Sequence, residues 1–290
     1  MDERAALTLL ADELDPVGDD AAIVDGLVVT TDMLHERTDF PAGTTRYTAG
    51  WRSVGASLSD VAAMGAEAIA AVAAYAAPEF DREELLGFVR GASDVCESVG
   101  AEYVGGDLDG HDEFTVSTTA IGRTTDPVRR GGARPGDVVC VTGTLGRTAA
   151  AIAQFERGDH ERGNDLFQFE PRVAAGRALA PHATAMMDSS DGLARSLHQL
   201  AEASDCGFAI ESDSIPIDDA VFETTDSERE ALDRATTFGE DFELVCTIPE
   251  DDVAAARADT PVALTPIGSV LADGVSLDGD SLADRGYTHG

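Results

Sequence analysis

The sequence contains no lysine: all 20 basic residues among its 290 are arginine. That absence removes three chemistries together: the Schiff-base lysine of PLP enzymes, the phosphate-binding lysine of P-loop NTPases and the strand lysine of protein kinases. Positive charge is scarce altogether. Against 55 Asp and Glu the arginines leave a formal net charge of −35, so polyanions are repelled, and neither nucleic acid nor an acidic membrane is expected as a partner. Cysteine is sparse too. Cys96, Cys140, Cys206 and Cys246 lie far apart with no CxxC and no Cys/His cluster, which excludes a zinc centre and reads as four buried thiols. The longest Ala-rich run, Ala68 to Ala77, is about half of the roughly 20 residues that a membrane helix needs. The opening MDERAALTLL is acidic where a signal peptide is basic, so a cytoplasmic protein is expected. There is no GxSxG elbow and no GxGxxG fingerprint, and His35-Glu36 is followed by Asp39 where a zinc HExxH motif has its second histidine.

What remains is carboxylate. An acidic, lysine-free composition resembles that of proteins from salt-loving organisms, where concentrated cations screen self-repulsion. With 43% hydrophobic residues the chain can still bury a large core, as one big domain or two of ordinary size.

The periodicities are mixed α/β throughout. Leu27 to Thr30 reads as a strand ending in Thr31-Asp32, and Arg46 to Met64 as a helix of small residues. Glu84 to Ser98 reads as a helix with Leu85, Phe88, Val89, Ala92 and Cys96 at helical spacing. Tyr103-Val104 runs into Gly105-Gly106-Asp107, and Phe114, Val116, Thr118 and Ala120 alternate as a strand does. The Gly/Pro cluster Arg129 to Asp137 predicts a domain boundary, giving units 1–136 and 137–290. The second unit holds strands at 138–141, 183–187, 244–248 and 262–270, helices at 147–157 and after Asp191, and a hairpin turn at Asp278-Gly279.

Six places set a carboxylate beside a Gly, Ser or Thr turn: Asp19-Asp20, Asp32, Asp60, Asp107, Asp188 with Asp191, and Glu240-Asp241. If Asp32, Asp107 and Asp188 sit at strand ends on one sheet edge, they converge. Such a cluster repels itself unless it holds a cation, and hard oxygen ligands with open positions suit Mg²⁺. Asp60 stands out because it lies in the small, apolar run Ser53 to Ala66, where a carboxylate must bind metal or pair with a cation such as Arg52. Without lysine, phosphate must be held by backbone amides, arginine and metal. Ser190-Asp191-Gly192 opens a helix whose free N–H groups attract phosphate, with Asp188 and Asp191 bringing metal to the same place. Gly143-Thr144-Leu145-Gly146 is a second strand-turn-helix candidate, and Arg130 is a candidate bidentate clamp.

In order along nearly the whole chain, VGDDAAIV (17–24), VVTTDML (28–34), GASLSDVAAMGA (55–66), VGGD (104–107), GARPGDVVCVTGTLG (132–146), MDSSDGL (187–193) and GEDFEL (239–244) resemble the thiamine-monophosphate kinases. These belong to the wider aminoimidazole ribonucleotide synthetase-like superfamily of ATP enzymes, and the composition suggests a salt-loving archaeon as source. The resemblance implies a two-domain α/β subunit in a homodimer, with the N-terminal half contributing to a β-barrel at the dimer interface. It implies ATP as co-substrate, several Mg²⁺ ions, and direct transfer of the γ-phosphate to thiamine monophosphate. By motif, Asp20, Thr30, Thr31, Asp32, Asp60, Asp107, Asp188 and Asp191 are metal ligands, and Gly106, Asp107, Arg130 and Ser190 surround ATP. Glu240 and Tyr287 face the substrate, with Asp39 standing where the family carries histidine. Phe88 sits where an aromatic ring stacks on adenine, or packs the core. The alternatives are another ATP-using member of the superfamily, or a binder of nucleotide and divalent cations without turnover.

Overall fold

Residues 18–286 are described in a computed structural model of the chain. Strands β1 (Ala22–Val24), β2 (Leu27–His35), β3 (Glu67–Ala77), β4 (Glu102–Gly110) and β5 (Thr115–Arg123) form one sheet in the order β1-β2-β5-β3-β4. Only β3 and β4 pair in parallel there, across the connecting helix, as a parallel pair requires. Helices α1 (Arg46–Ala63) and α2 (Arg82–Ser98) cover one face. Thr45 caps α1 by accepting from Thr48 N, and Asp81 caps α2 by accepting from Glu83 N and Glu84 N.

The small residues of α1 are explained by its surroundings. It is buried almost all round, as a helix at the centre of a structure is. Gly50 on α1 and Gly91 on α2 let the two helices meet backbone to backbone, because a Cβ on Gly50 runs into Phe88 O and one on Gly91 into Tyr47 O. The alanine-rich run 67–77, good helix former though alanine is, lies as the long strand β3 between β5 and β4. Its small side chains fit beneath two closely packed helices, so packing overrides propensity. Phe40, Tyr75, Phe88 and Phe114 form the ring cluster under α2, and Phe88 is fully buried within it.

A second sheet takes the rest of the chain: β6 (Val138–Thr142), β7 (Ala185–Asp188), β8 (Gly207–Ile210), β9 (Leu244–Ile248), β10 (Leu264–Leu271), β11 (Val275–Leu277) and β12 (Asp280–Ser281). Their order is β12-β11-β8-β10-β6-β9-β7. Strands β7 and β9 are buried along their whole length, which accounts for their unbroken apolar runs. Cys140 on β6 stands directly opposite Cys246 on β9, both buried thiols. The final hairpin turns at Asp278 (φ 53°) and Gly279 (φ 86°), the left-handed pair that a two-residue loop needs. Around the sheet lie α3 (Arg147–Glu156), α4 (His160–Phe167), α5 (Val173–Leu179), α6 (Leu193–Ser204), α7 (Glu228–Thr237) and α8 (Val253–Asp259).

Helix α1 is also the seam between the two sheets. Trp51 Nε1 donates to Phe169 O at 2.6 Å, Arg52 Nη1 donates to Phe167 O at 2.9 Å, and Gly176 on α5 lies against Ala62 O.

Two expectations change. Strand β2 continues to His35, so Thr31-Asp32 lies mid-strand rather than at a strand end. Asp107 lies mid-strand in β4 as well, and most strand pairs are antiparallel, so convergence on one edge of a parallel sheet is not how the carboxylates meet. The first sheet is open. Its edges β1 and β4 are separated by three intervening strands and nothing among the described residues joins them, so the barrel expected between two copies is not closed within one. Among the described residues no helix is long and apolar enough to cross a membrane.

Candidate active site

The acidic cluster forms where the two sheets meet. Asp20 comes from the turn before β1, Asp60 from the last turn of α1 and Asp188 from the end of β7. One carboxylate oxygen of each lies within 4.8 Å of the others. On β2, alternation turns Thr30 and Asp32 toward α1 and Thr31 to the opposite face. Thr30 Oγ1 therefore donates to Asp60 Oδ2 at 2.5 Å, and Ser57, one turn before Asp60, donates to Asp32 Oδ2 at 2.5 Å. Thr31 instead donates to Thr118 O at 2.8 Å, so its hydroxyl points away from the cluster.

Burial is what makes this arrangement demand a cation. It raises the Asp60 carboxyl well above its ordinary value, with Asp32, Asp188 and Asp20 adding repulsion. Asp188 is pushed up to about 7, by burial first and then by Asp20. One guanidinium answers three of these carboxylates. Arg130 forks onto Asp20, Nε to Oδ2 at 3.2 Å and Nη2 to Oδ1 at 2.9 Å, while its backbone N–H donates to Asp19 Oδ1 at 3.0 Å. Burial opposes the charge on Arg130, but Asp20, Asp188 and Asp60 outweigh it. Asp188 Oδ2 is buried with no hydrogen-bond partner, an orphaned acceptor aimed into the cluster. Four carboxylates, a threonine hydroxyl and no sulfur or imidazole make a hard oxygen donor set that fits Mg²⁺.

Such a site binds metal only as its carboxyls lose protons. Mg²⁺ affinity is expected to rise with pH through about 7, where Asp188 loses its proton, and to go on rising while Asp60, also held well above its ordinary value, loses its own. Titration calorimetry in buffers of different ionisation enthalpy reads the protons released, and no release at pH 6 contradicts the assignment. Without added metal the sign is opposite. Asp188 stabilises the fold fully below its ordinary 3.8 and loses that contribution as pH rises through about 7.

Two loops frame the cluster. Residues 188–192 and 239–243 are tied by Glu240 N to Ser190 O at 2.6 Å, Ser189 N to Glu243 O at 2.8 Å and Glu243 N to Ser189 Oγ at 3.2 Å. Gly192 and Gly239 permit that closeness, since a Cβ on Gly239 would lie 2.7 Å from Ser190 O. Gly192 begins α6 without a side-chain cap, leaving that helix's first N–H groups for an anion, with Ser190 beside them. Asp191 Oδ2 accepts from Gln199 Nε2 at 3.4 Å in the same loop. The other helix-start candidate is already filled: Asp241 accepts from Gly146 N at 2.5 Å and Thr148 N at 2.9 Å, so its carboxylate takes the place of a phosphate.

Glu240 and Asp39 line one cavity of about 430 Å³ together with Phe40, Phe155 and Phe238. Asp39 is buried, and its Oδ2 accepts from His35 N and Thr38 Oγ1, both at 2.7 Å. Tyr287 lies outside the described residues. Gly105, Gly106 and Asp107 line a second cavity, of about 410 Å³, against Phe88 and Val89 of α2. Gly106 stands in the same sheet row as Ala73, Thr118 and Asp32, three strand spacings or about 14 Å from the carboxylate. Asp107 is exposed, in the row of Ala74, Ser117 and Met33.

Arg52 does not pair with Asp60. It reaches the other way, to Glu240, two turns back along α1. The sequence names Arg52 as a buried cation but carries no signal for which carboxylate it meets.

Family models for the N-terminal and C-terminal domains of AIR synthase related proteins match residues 18–124 and 134–278. The thiamine-monophosphate kinase of Halobacterium salinarum is 65% identical over the whole of both chains. That of Methanospirillum hungatei is 42% identical over 100% of this chain and 99% of its own. A solved structure, AaThiL complexed with AMPPCP and TMP, superposes with a TM-score of 0.91 at 27% identity, covering 99% of this chain and 97% of its own.

Proposed function

The chain belongs to the thiamine-monophosphate kinase family, and from that membership we propose that it makes thiamine diphosphate, carrying the γ-phosphate of ATP onto the phosphate of thiamine monophosphate. The observation that carries this reading is the Asp20, Asp60 and Asp188 cluster, in a subunit that also holds a cavity lined by Asp39 and Glu240. Asp20, Asp32, Asp60 and Asp188, with Thr30, would hold Mg²⁺, and Asp191 and the main chain of Thr31 stand close enough in sequence to join them. When bound, that metal neutralises charge on the triphosphate and on the oxygens of the in-line transfer.

The remaining work falls to the chain. The acceptor is a phosphate oxygen that already carries negative charge, so positioning and charge compensation matter more than a protein base. Arg130 is placed to clamp phosphate as it now clamps Asp20, and Ser190 with the open end of α6 offers amide donors to the same anion. The groove beside Gly105, Gly106 and Asp107 takes the nucleoside of ATP, its wall formed by Phe88 and Val89. Asp39 and Glu240 face the cationic thiazolium from the other cavity, where Phe40, Phe155 and Phe238 supply aromatic faces. Asp39 thus answers the ring's positive charge where histidine stands in the family.

The division at 136/137 assigns nucleotide, metal and dimer contacts to residues 1–136 and the loops 188–192 and 239–243 to residues 137–290. A second copy covers the open face of the first sheet, where Met33 is more than half exposed and Asp107 shares its row. That homodimer is where a barrel closes. The four unpaired thiols suit a reducing cytoplasm.

Incubation with ATP, Mg²⁺ and thiamine monophosphate in molar KCl is expected to give thiamine diphosphate and ADP in equal amounts, with neither from unphosphorylated thiamine. A melting temperature raised by Mg²⁺ and ATP with no ADP formed would make the protein a binder instead.

A further inference from the structure

Among the described arginines, Arg52 is the most deeply enclosed. It is 1% exposed, sits mid-helix in α1, and stacks its guanidinium 3.8 Å from the centre of the Phe167 ring, with Phe169 and Phe242 each at 5.5 Å. A permanently charged group so placed must have its donors satisfied. Nη1 takes Phe167 O at 2.9 Å. Nη2 takes both ends of a single residue, Glu240 O at 3.1 Å and Glu240 Oε2 at 2.8 Å.

Glu240 needs such a hold. It lies in the left-handed region at φ 59°, between Gly239 at 87° and Asp241, with Phe242 also left-handed at 55°. A residue with a Cβ stays there only when its surroundings over-determine it. Its N–H is fixed to Ser190 O, its carbonyl accepts from Thr148 Oγ1 at 2.7 Å, and Arg52 then ties the carbonyl to the carboxylate. With Oε2 engaged, Oε1 is left for the cavity that Glu240 lines with Asp39. Arg52 belongs to the helix that carries Asp60, eight residues on, while Glu240 belongs to the loop tied to Ser190.

We infer that Arg52 is a positioning residue: from α1 it locks the backbone and carboxylate of Glu240 in one orientation, so that the acceptor cavity is set relative to the metal cluster on the same helix. The inference rests on the reading of that cavity as the thiamine monophosphate site. Lysine at position 52 keeps the charge but cannot fork to Phe167 O and to both oxygens of Glu240. Arg52→Lys is therefore expected to raise KM for thiamine monophosphate about tenfold, as the loss of a charged hydrogen bond does, and to leave KM for ATP within about twofold. Thr148→Val, which frees the Glu240 carbonyl from its other side-chain donor, is expected to act in the same direction by about threefold. If Arg52 works through Glu240, the double variant Arg52→Lys with Glu240→Gln raises KM by less than the product of the two single effects, since part of what Arg52 holds is already weakened.

Steady-state kinetics with each substrate varied, on variants whose melting temperatures show them folded, test this. Equal rises in both KM values, additive effects in the double variant, or an unchanged KM for thiamine monophosphate overturn the inference. Should Arg52→Lys not fold, the same split in Thr148→Val supports it and an unchanged KM there overturns it. Wild-type protein that does not turn over thiamine monophosphate overturns the functional reading itself, whereas an active wild type with unaltered variants overturns only the role of Arg52.

Discussion

Asp60→Asn is expected to stop phosphoryl transfer, lowering kcat by about 10³-fold or more while the protein remains folded. A metal clamp on a transferring phosphoryl group is worth several kcal/mol, and about 4 kcal/mol is three decades of rate. Asp60 is the member of the cluster most hemmed in by others. Burial, Asp32, Asp188 and Asp20 all act against its charge, while the hydroxyl of Thr30 and the more distant Arg130 favour it. Asparagine has nearly the same shape and can still accept from Thr30, so the substitution removes charge without opening a cavity. It also removes repulsion, and the melting temperature in EDTA is expected to stay level or rise, whereas the gain in melting temperature on adding Mg²⁺ should vanish. A kcat within tenfold of wild type would take Asp60 out of the metal site.

Lowering KCl from molar to about 0.1 M is expected to unfold the protein, seen as loss of far-ultraviolet ellipticity. The formal charge is −35, and no lysine is available to offset it. Many of the arginines are already committed: Arg46, Arg52, Arg129, Arg130, Arg172, Arg195 and Arg234 each sit on a carboxylate. The excess carboxylates are therefore left to solvent ions. The Debye length grows from about 3 Å at 1 M to about 10 Å at 0.1 M, so neighbouring surface carboxylates that are screened from one another in high salt come to repel as a group. Mg²⁺ with ATP should delay the loss, since both bind the folded state. Ellipticity unchanged across that range would sink the expectation.

Local sequence disclosed much of the site because its chemistry is incompatible with its setting. An aspartate in a helix of alanine, serine and glycine has to be answered by something, and Asp60 could be picked out on that ground alone. Asp188 was visible as a carboxylate closing an apolar strand before a glycine turn. The hairpin at Asp278-Gly279 was written in two residues. What stayed hidden was decided by partners remote in the chain. Strand β2 runs past Asp32 because β5 pairs with it as far as Thr115, and that pairing, not the motif, turns Thr31 to the other face. The alanine run became a strand because α1 and α2 needed a flat, thin surface. Arg52 read as a buried cation for Asp60, eight positions away, whereas the fold gives it Glu240, 188 positions away. The same holds for Asp241, whose carboxylate fills the helix start that the sequence offered to phosphate.

The chain has one tryptophan, and it is Trp51, beside Arg52 on α1, with its indole N–H on Phe169 O. Its neighbour on the helix holds the acceptor loop, and its own bond holds the segment between α4 and α5. The protein thus carries its single indole fluorophore at the joint between its halves. With excitation beyond tyrosine absorption, its emission colour and quenching report on the packing at that joint, without a label and without interference from any second indole. Rapid mixing with either substrate can therefore time the joint's response separately from the formation of product.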